Sequence, residues 1–153
     1  MKEFGKENYF NVRGNIFLAL AKYNEALNDF EKRIQINPSF SLAYVNKAIA
    51  KINLANKIEM TTLSIKGGFN NQPFIPNWTL PLRTSIKKSD SNIISALEDC
   101  NKASEIEPKL DFAFYVRGQI KKMINKSDYC LDLLQAKELG YPVEMELLID
   151  CGK

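Results

Sequence analysis

The sequence predicts an all-α chain built on an internal repeat, and three observations carry that prediction. Phe10-x-x-Arg13-Gly14-x-x-Phe17 returns in register, with Tyr44 and Ala48 standing one repeat length after Phe10 and Gly14 and Phe114-x-x-Arg117-Gly118 following about two lengths further on. Ala26, Phe30 and Pro38 return with that same offset as Ala96, Cys100 and Pro108, and Ala26-Leu27-Asn28-Asp29 shares the form A-L-x-D with Ala96-Leu97-Glu98-Asp99. Outside residues 67–81, GGFNNQPFIPNWTLP, the chain reads as helical and carries few breakers, with seven glycines in 153 residues.

These residues resemble the tetratricopeptide repeat, a helix–turn–helix unit of ~34 residues reading large–x–x–L–G–x–x–Y, then A–x–x–x–F, then a closing proline. The resemblance implies a right-handed solenoid of helical hairpins, with three helix pairs and a short C-terminal capping helix. Gly14 lets the two helices of a unit approach, Ala26 receives that contact, and Phe10, Phe17 and Phe30 fill the space between them. Pro38 cannot continue the preceding helix. In one domain, 1–153, repeat one takes 7–40, repeat two takes 41–56 plus 90–110, and repeat three takes 111–140, with the cap over 141–153. The second helix of the third unit, Tyr129 to Leu139, aligns Asp132 with Asp99 and Ala136 with Ala103 if its turn is one residue shorter. It ends in Leu139-Gly140-Tyr141-Pro142, a glycine-type helix stop. Pro142 then starts a last helix through Asp150, with Val143, Leu147 and Ile149 covering the end of the stack. Cys100 and Leu133 depart from the pattern by replacing an aromatic residue, and Tyr129 by replacing a small one.

An insertion, 57–89, interrupts the second unit. Lys57-Ile-Glu-Met-Thr-Thr-Leu is expected to prolong the helix before it by two turns, Gly67-Gly68 to stop it, and Ser89-Asp90-Ser91 to cap a restart at Asn92. Loops longer than about 15 residues are uncommon in compact domains. This one carries Phe69, Phe74 and Trp78, whereas disordered segments are poor in aromatics. Pro73, Pro76 and Pro81 favour extended backbone. The insertion is therefore expected to pack on the solenoid and cover part of its groove or edge; the alternative is an exposed arm that binds another chain through Trp78. Tryptophan emission separates the two. Packing requires blue, quencher-protected emission from the monomer, and red, readily quenched emission refutes it.

Composition narrows the function. Hydrophobic residues make up 45% and charged residues 25%, which suits a folded chain. No apolar run approaches the ~20 residues that cross a bilayer, and Met1-Lys2-Glu3-Phe4-Gly5 does not lead into a signal-peptide core. The chain has no histidine, so a Ser-His-Asp or Cys-His unit is impossible and the commonest metal ligand is missing. Cys100, Cys130 and Cys151 have no C-x-x-C spacing and are expected as buried free thiols, which favours the cytoplasm. Residues 1–90 hold 13 Lys/Arg against 7 Asp/Glu, a balance of +6, and residues 91–153 hold 8 against 11, a balance of −3. The positive charges are dispersed, which argues against nucleic acid, and nothing points to a membrane. Glu105-Ile-Glu107 and Glu144-Met-Glu146 read as solvated surface. Gly67-Gly68 lacks the lysine and helix of a phosphate loop. No enzyme, cofactor or metal site emerges.

The resemblance implies a concave groove, lined by the first helix of each unit, that holds an extended peptide or a partner's helix. Projected onto this chain, the groove takes Asn8, Asn11, Asn15 and Leu18 from the first unit. The second gives Leu42, Val45, Asn46, Ile49 and Ile52, and the third Phe112, Tyr115, Gln119 and Lys122. Members that clamp acidic chaperone tails surround a carboxylate with lysine, asparagine, asparagine, lysine and arginine. Asn15 and Asn46 match the asparagines, but Asn11, Phe112 and Val116 hold the cation positions. A carboxylate would lose every charged partner, so tail binding of that kind is disfavoured. Arg13 and Arg117 sit at spacings that turn them off the groove. The expected function is a non-catalytic module that binds a protein or peptide; the alternative is self-association as an assembly or spacer element. Residues 1–20, with Tyr9, Phe10, Val12, Ile16 and Phe17, are expected to be incompletely capped, so that a neighbour or further chain covers them.

Overall fold

The computed structural model describes residues 6–56 and 91–152. Among these residues lie seven α-helices and one 3-10 turn, with no strand. Helix α1 (Lys6–Ala19) pairs with α2 (Tyr23–Ile36), α3 (Ser41–Asn56) with α4 (Ser91–Ile106), and α5 (Asp111–Met123) with α6 (Tyr129–Glu138). Successive pairs stack, since α2 packs on α3 and α4 on α5, while α3 also touches α1 and α5. The first helices of the three pairs therefore lie side by side and form one face of a helical-hairpin solenoid. The expected helix extension past residue 56, the Gly67-Gly68 stop and the packing of Phe69, Phe74 and Trp78 lie outside the described residues.

Small residues decide how closely each pair approaches. A Cβ placed on Gly14 would stand 2.6 Å from Cε1 of Phe30, and the three atoms nearest it all belong to that ring. Phe30, rather than Ala26 as expected, thus receives the close approach. A Cβ on Gly118 would stand 2.8 Å from Leu133 Cδ2. In the middle pair the register sets Ala48 against Cys100, a larger first residue facing a smaller second one, and both are wholly buried. The larger Phe30 and Leu133 thus stand opposite glycine and the smaller Cys100 opposite alanine, as close-packed interiors require.

Three of the described turns share one device. After α1, α5 and α6 the chain passes through positive φ at Ala21 (55°), Asn125 (57°) and Gly140 (106°). In each case two backbone bonds close the helix end: Ala21 N to Leu18 O (3.0 Å) and Lys22 N to Phe17 O (2.9 Å) at the first, with equivalent pairs at the others. Glycine and asparagine tolerate this conformation and alanine does not. Ala21→Gly should therefore raise stability by roughly 0.5–1 kcal/mol, relief of the left-handed strain being partly offset by the freer unfolded chain. Urea denaturation reads the shift, and a loss of stability would contradict the strain argument.

Polar contacts lock each pair as well. Arg13 donates through Nε and Nη2 to both Asp29 oxygens at 2.6 and 2.7 Å, and Arg117 does the same to Asp132 at 2.9 and 2.6 Å. In the middle pair Lys47 and Lys51 reach Asp99 at 3.1 and 2.5 Å. The aspartate of the repeated A-L-x-D is a cation acceptor buried between two helices.

The cysteines correct the sequence expectation. Cys130 and Cys151 are joined in a disulfide, with Cα atoms 5.3 Å apart, and only Cys100 is a buried free thiol. The argument from free thiols to a reducing compartment thus loses two of its three thiols. The reason is topological. Helix α7 (Met145–Leu148) and the 3-10 turn Ile149–Gly152 follow α6 and pack back on it, which brings residue 151 to residue 130. Leu148, Cys151 and Gly152 stand one repeat length after Phe114, Arg117 and Gly118, so this stub carries the register of another first helix. Cys151 stands where the other units carry Arg13, Lys47 and Arg117. Both ends of the stack show apolar surface. Tyr9, Val12 and Ile16 on α1 and Leu20 just past its end are exposed in one stripe, and Leu131, Leu134, Met145 and Ile149 are exposed at the other end. No helix among the described residues is long and apolar enough to cross a membrane.

Candidate functional site

Contact of α3 with α1 and α5 closes much of the face that the sequence assigns to a groove. Asn46 is 2% exposed and donates its Nδ2 to Asn11 Oδ1 at 3.3 Å, tying α3 to α1. Val45 and Ile49 are buried beside it. Asn53, one helical turn beyond Ile49, is buried too and donates to the Ile49 carbonyl at 2.8 Å. Asn11 and Asn15 are half-buried one turn apart on α1. The Asn15 Oδ1 atom is buried and has no hydrogen-bond partner among the described residues. Buried amide oxygens are rarely left so, and an unmet one costs about 1–3 kcal/mol. Among the described residues it is an acceptor facing no donor.

The α5 part of the face is covered by the chain itself. Phe112, Tyr115 and Gln119 are all buried. The Tyr141 ring stacks on Tyr115, with centroids 4.2 Å apart, and on Phe112 at 5.8 Å. Tyr115 donates its hydroxyl to the Glu144 carboxylate, 3.0 Å from Oε2, and accepts from Gln119 Nε2 at 2.7 Å. Glu144 is exposed, as its sequence context suggests, yet it holds this bond. Lys122 does not join the group; its Nζ lies 5.3 Å from the Tyr129 ring centroid at the start of α6. Phe69, Phe74 and Trp78 are outside the described residues.

Burial, and then the charge of Glu144, push both the Tyr115 and Tyr141 phenols above their ordinary value of 10.0. A raised folded-state pKa means that the stabilisation is complete below the unfolded value and is lost as pH rises above it. Stability should therefore fall above about pH 10 as these phenols are forced to ionise, and Tyr115→Phe with Tyr141→Phe should flatten that fall. Denaturation midpoints between pH 8 and pH 11 test this; equal slopes in the parent and the double variant would refute it.

Sequence reasoning missed Tyr141 and Glu144 as site residues, although register offered a hint. At the equivalent turns of the two earlier units, Glu107 and Asn37 stand in place of Tyr141, and Leu110 and Phe40 in place of Glu144. The polar and apolar positions are exchanged. Arg13 and Arg117 face the second helices, away from this face. No cluster of three His, Cys, Asp or Glu suited to a metal occurs among the described residues.

No family model matches the sequence, and no curated protein matches it either. Solved structures do match. The first TPR of Spaghetti (RPAP3), bound to the HSP90 peptide SRMEEVD, superposes with a TM-score of 0.65 at 18% identity, over 95% of this chain and 89% of that one. The TPR2B domain of yeast Sti1, in a complex titled pHsp70, gives 0.61 at 15% identity, over 97% and 86%. The fold is that of a tetratricopeptide repeat domain. At these identities the likeness concerns the fold alone.

Proposed function

We propose that this chain is a non-catalytic protein-interaction module that receives an extended peptide or a partner's segment on the face made by α1, α3 and α5. The observation that carries this reading is the unmet Asn15 Oδ1 beside the Asn11–Asn46 pair. A peptide N–H that enters as neighbouring side chains shift aside supplies the donor that this buried oxygen lacks, and the neighbouring amides read backbone without asking for a particular side chain. Repeat stacks of this fold present such extended faces as their means of recognition. Both structural neighbours are titled as complexes with chaperone segments, which supports a peptide as the class of ligand.

The chemistry differs at the carboxylate. Asn11, Phe112 and Val116 stand at the cation positions, and Phe112 and Val116 are buried. The peptide SRMEEVD should therefore show no saturable binding to this chain, whereas partners captured from the native cell should be lost on Asn15→Leu and on deletion of residues 57–88, which carry Phe69, Phe74 and Trp78. Tight binding of SRMEEVD, or a captured set indifferent to Asn15→Leu, would overturn the proposal.

A second reading has its own support. Apolar stripes at both ends of the stack favour end-to-end self-association, with Tyr9, Val12, Ile16 and Leu20 of one copy meeting Leu131, Leu134, Met145 and Ile149 of the next. Light scattering across salt concentrations decides it: a monomer at high protein concentration in both low and high salt excludes assembly.

A further inference from the structure

We infer that the α5 end of the face is a peptide site already filled by the chain's own residues 141–144, that the Cys130–Cys151 disulfide latches this occupant in place, and that reduction opens the site to an external peptide carrying an aromatic ring and, three residues on, a carboxylate. The inference rests on the reading of this face as a peptide groove and adds its ligand chemistry and its control.

The occupant defines the ligand. Tyr141 supplies a ring that stacks on Tyr115 and Phe112, and Glu144 supplies the carboxylate that accepts the Tyr115 hydroxyl. Tyr115 is held for this role from behind, since Gln119 donates to the same oxygen. Pro142 between them keeps the backbone extended. At the two earlier turns the corresponding positions carry Asn37 with Phe40 and Glu107 with Leu110, so ring and carboxylate are not what the turn itself requires.

The latch follows from how little else holds the segment. Beyond Glu144 come a four-residue helix and a 3-10 turn, with Met145 and Ile149 exposed and only Leu147 and Leu148 packed in part on the core. Helices this short do not persist alone. Gly140 turns the chain at positive φ, the Tyr141 N–H is bonded to the Ala136 carbonyl at 2.9 Å so that opening must also break this cap, and Cys151 near the far end is tied to α6. Both sulfurs belong to half-buried residues that a small dithiol can reach. Reduction transfers two electrons and two protons from the dithiol: the Sγ–Sγ bond breaks, both cysteines become thiols, and the dithiol closes to its own disulfide. The segment then keeps only its chain end, the partial packing of Leu147 and Leu148 and the contact of Asp150, and it competes as a tethered ligand of finite effective concentration instead of as a fixed wall.

The test uses the full chain, oxidised, reduced with dithiothreitol, and as Cys151→Ser, with fluorescein-labelled GYPVEME as the probe. Reduced chain and Cys151→Ser should bind the probe at least about tenfold more tightly than oxidised chain, and peptides with tyrosine changed to alanine or the first glutamate to glutamine should lose the gain. Amide hydrogen exchange over 145–152 should quicken by about tenfold on reduction while exchange over α1 to α4 stays unchanged, which separates release of the latch from general loss of fold. Equal binding by oxidised and reduced chain, no binding by either, or unchanged exchange over 145–152 would each overturn the inference. If exchange quickens and the probe still fails to bind, this site is refuted while the Asn15 reading stands, because that reading is tested by partner capture with Asn15→Leu and not by the probe.

Discussion

Phe30→Ala should destabilise the chain by about 4 kcal/mol, a large share of the roughly 5–15 kcal/mol that holds such a domain together. Phe30 is wholly buried, and its ring fills the space that Gly14 leaves open between α1 and α2. Removing it forfeits the transfer of the ring and leaves a cavity that helix backbones cannot easily close. The partner residue sharpens the test. Gly14→Ala in the parent drives a methyl to 2.6 Å from the ring, an overpacking cost of about 1–3 kcal/mol that exceeds the ~1 kcal/mol gained in helix propensity. In the Phe30→Ala background the clash is gone and only the propensity remains, so the same change should stabilise. Urea denaturation of the four chains reads this reversal. Additive effects would mean that the glycine serves some purpose other than the approach of the ring.

Asp132→Ala should cost about 3 kcal/mol, because it takes the carboxylate from Arg117 in the α5–α6 interface, while Lys121 keeps Asp128 at 2.6 Å. The side chains of Asp132, Arg117 and Lys121 are 6%, 16% and 14% exposed, and the aspartate accepts from Arg117 at 2.6 and 2.9 Å and from Lys121 at 2.9 Å. Without it Arg117 keeps only Asn101 and Ser104 as acceptors, at 3.2 and 2.8 Å. The control is the surface pair Lys102–Glu105, whose side chains are 54% and 66% exposed. Glu105→Ala should change stability by no more than about 0.5 kcal/mol and become neutral in high salt. A loss under about 1 kcal/mol for Asp132→Ala would show that the Arg117 guanidinium reaches water unaided.

The hairpin pattern was legible because it is steric. Gly14 and Gly118 stand where a side chain cannot fit, Ala26, Ala96, Ala103 and Ala136 are wholly buried on second helices, and Pro38 and Pro108 follow helix ends. Such requirements act over a single helical hairpin, so local spacing expresses them. The A-L-x-D register was equally visible, but its purpose was not. Asp29, Asp99 and Asp132 acquire meaning only when the facing helix is rotated so that Arg13, Lys47 with Lys51, or Arg117 points at them.

The candidate site was less legible, for a related reason. Helix periodicity assigns Asn46, Phe112, Tyr115 and Gln119 to the inner face, but whether that face meets a partner or the next helix depends on how closely α1, α3 and α5 stack. Asn46 is buried where α3 meets α1, whereas Phe112 and Tyr115 are covered by Tyr141, and Gln119 is buried behind Tyr115. The Cys130–Cys151 bond and the Tyr141–Glu144 cover depend on α7 turning back along α6, a contact between segments whose cysteines are 21 residues apart with no spacing motif. By itself, then, the sequence determined the repeat, its close-packed pairs and the lack of a histidine-based catalytic site, because these follow from residue size and chemistry at short range. Only the tertiary structure decided which polar groups are paired, which inner-face residues remain open and which cysteines meet, because burial and partnership are set by the neighbouring hairpin and not by the one that carries the residue.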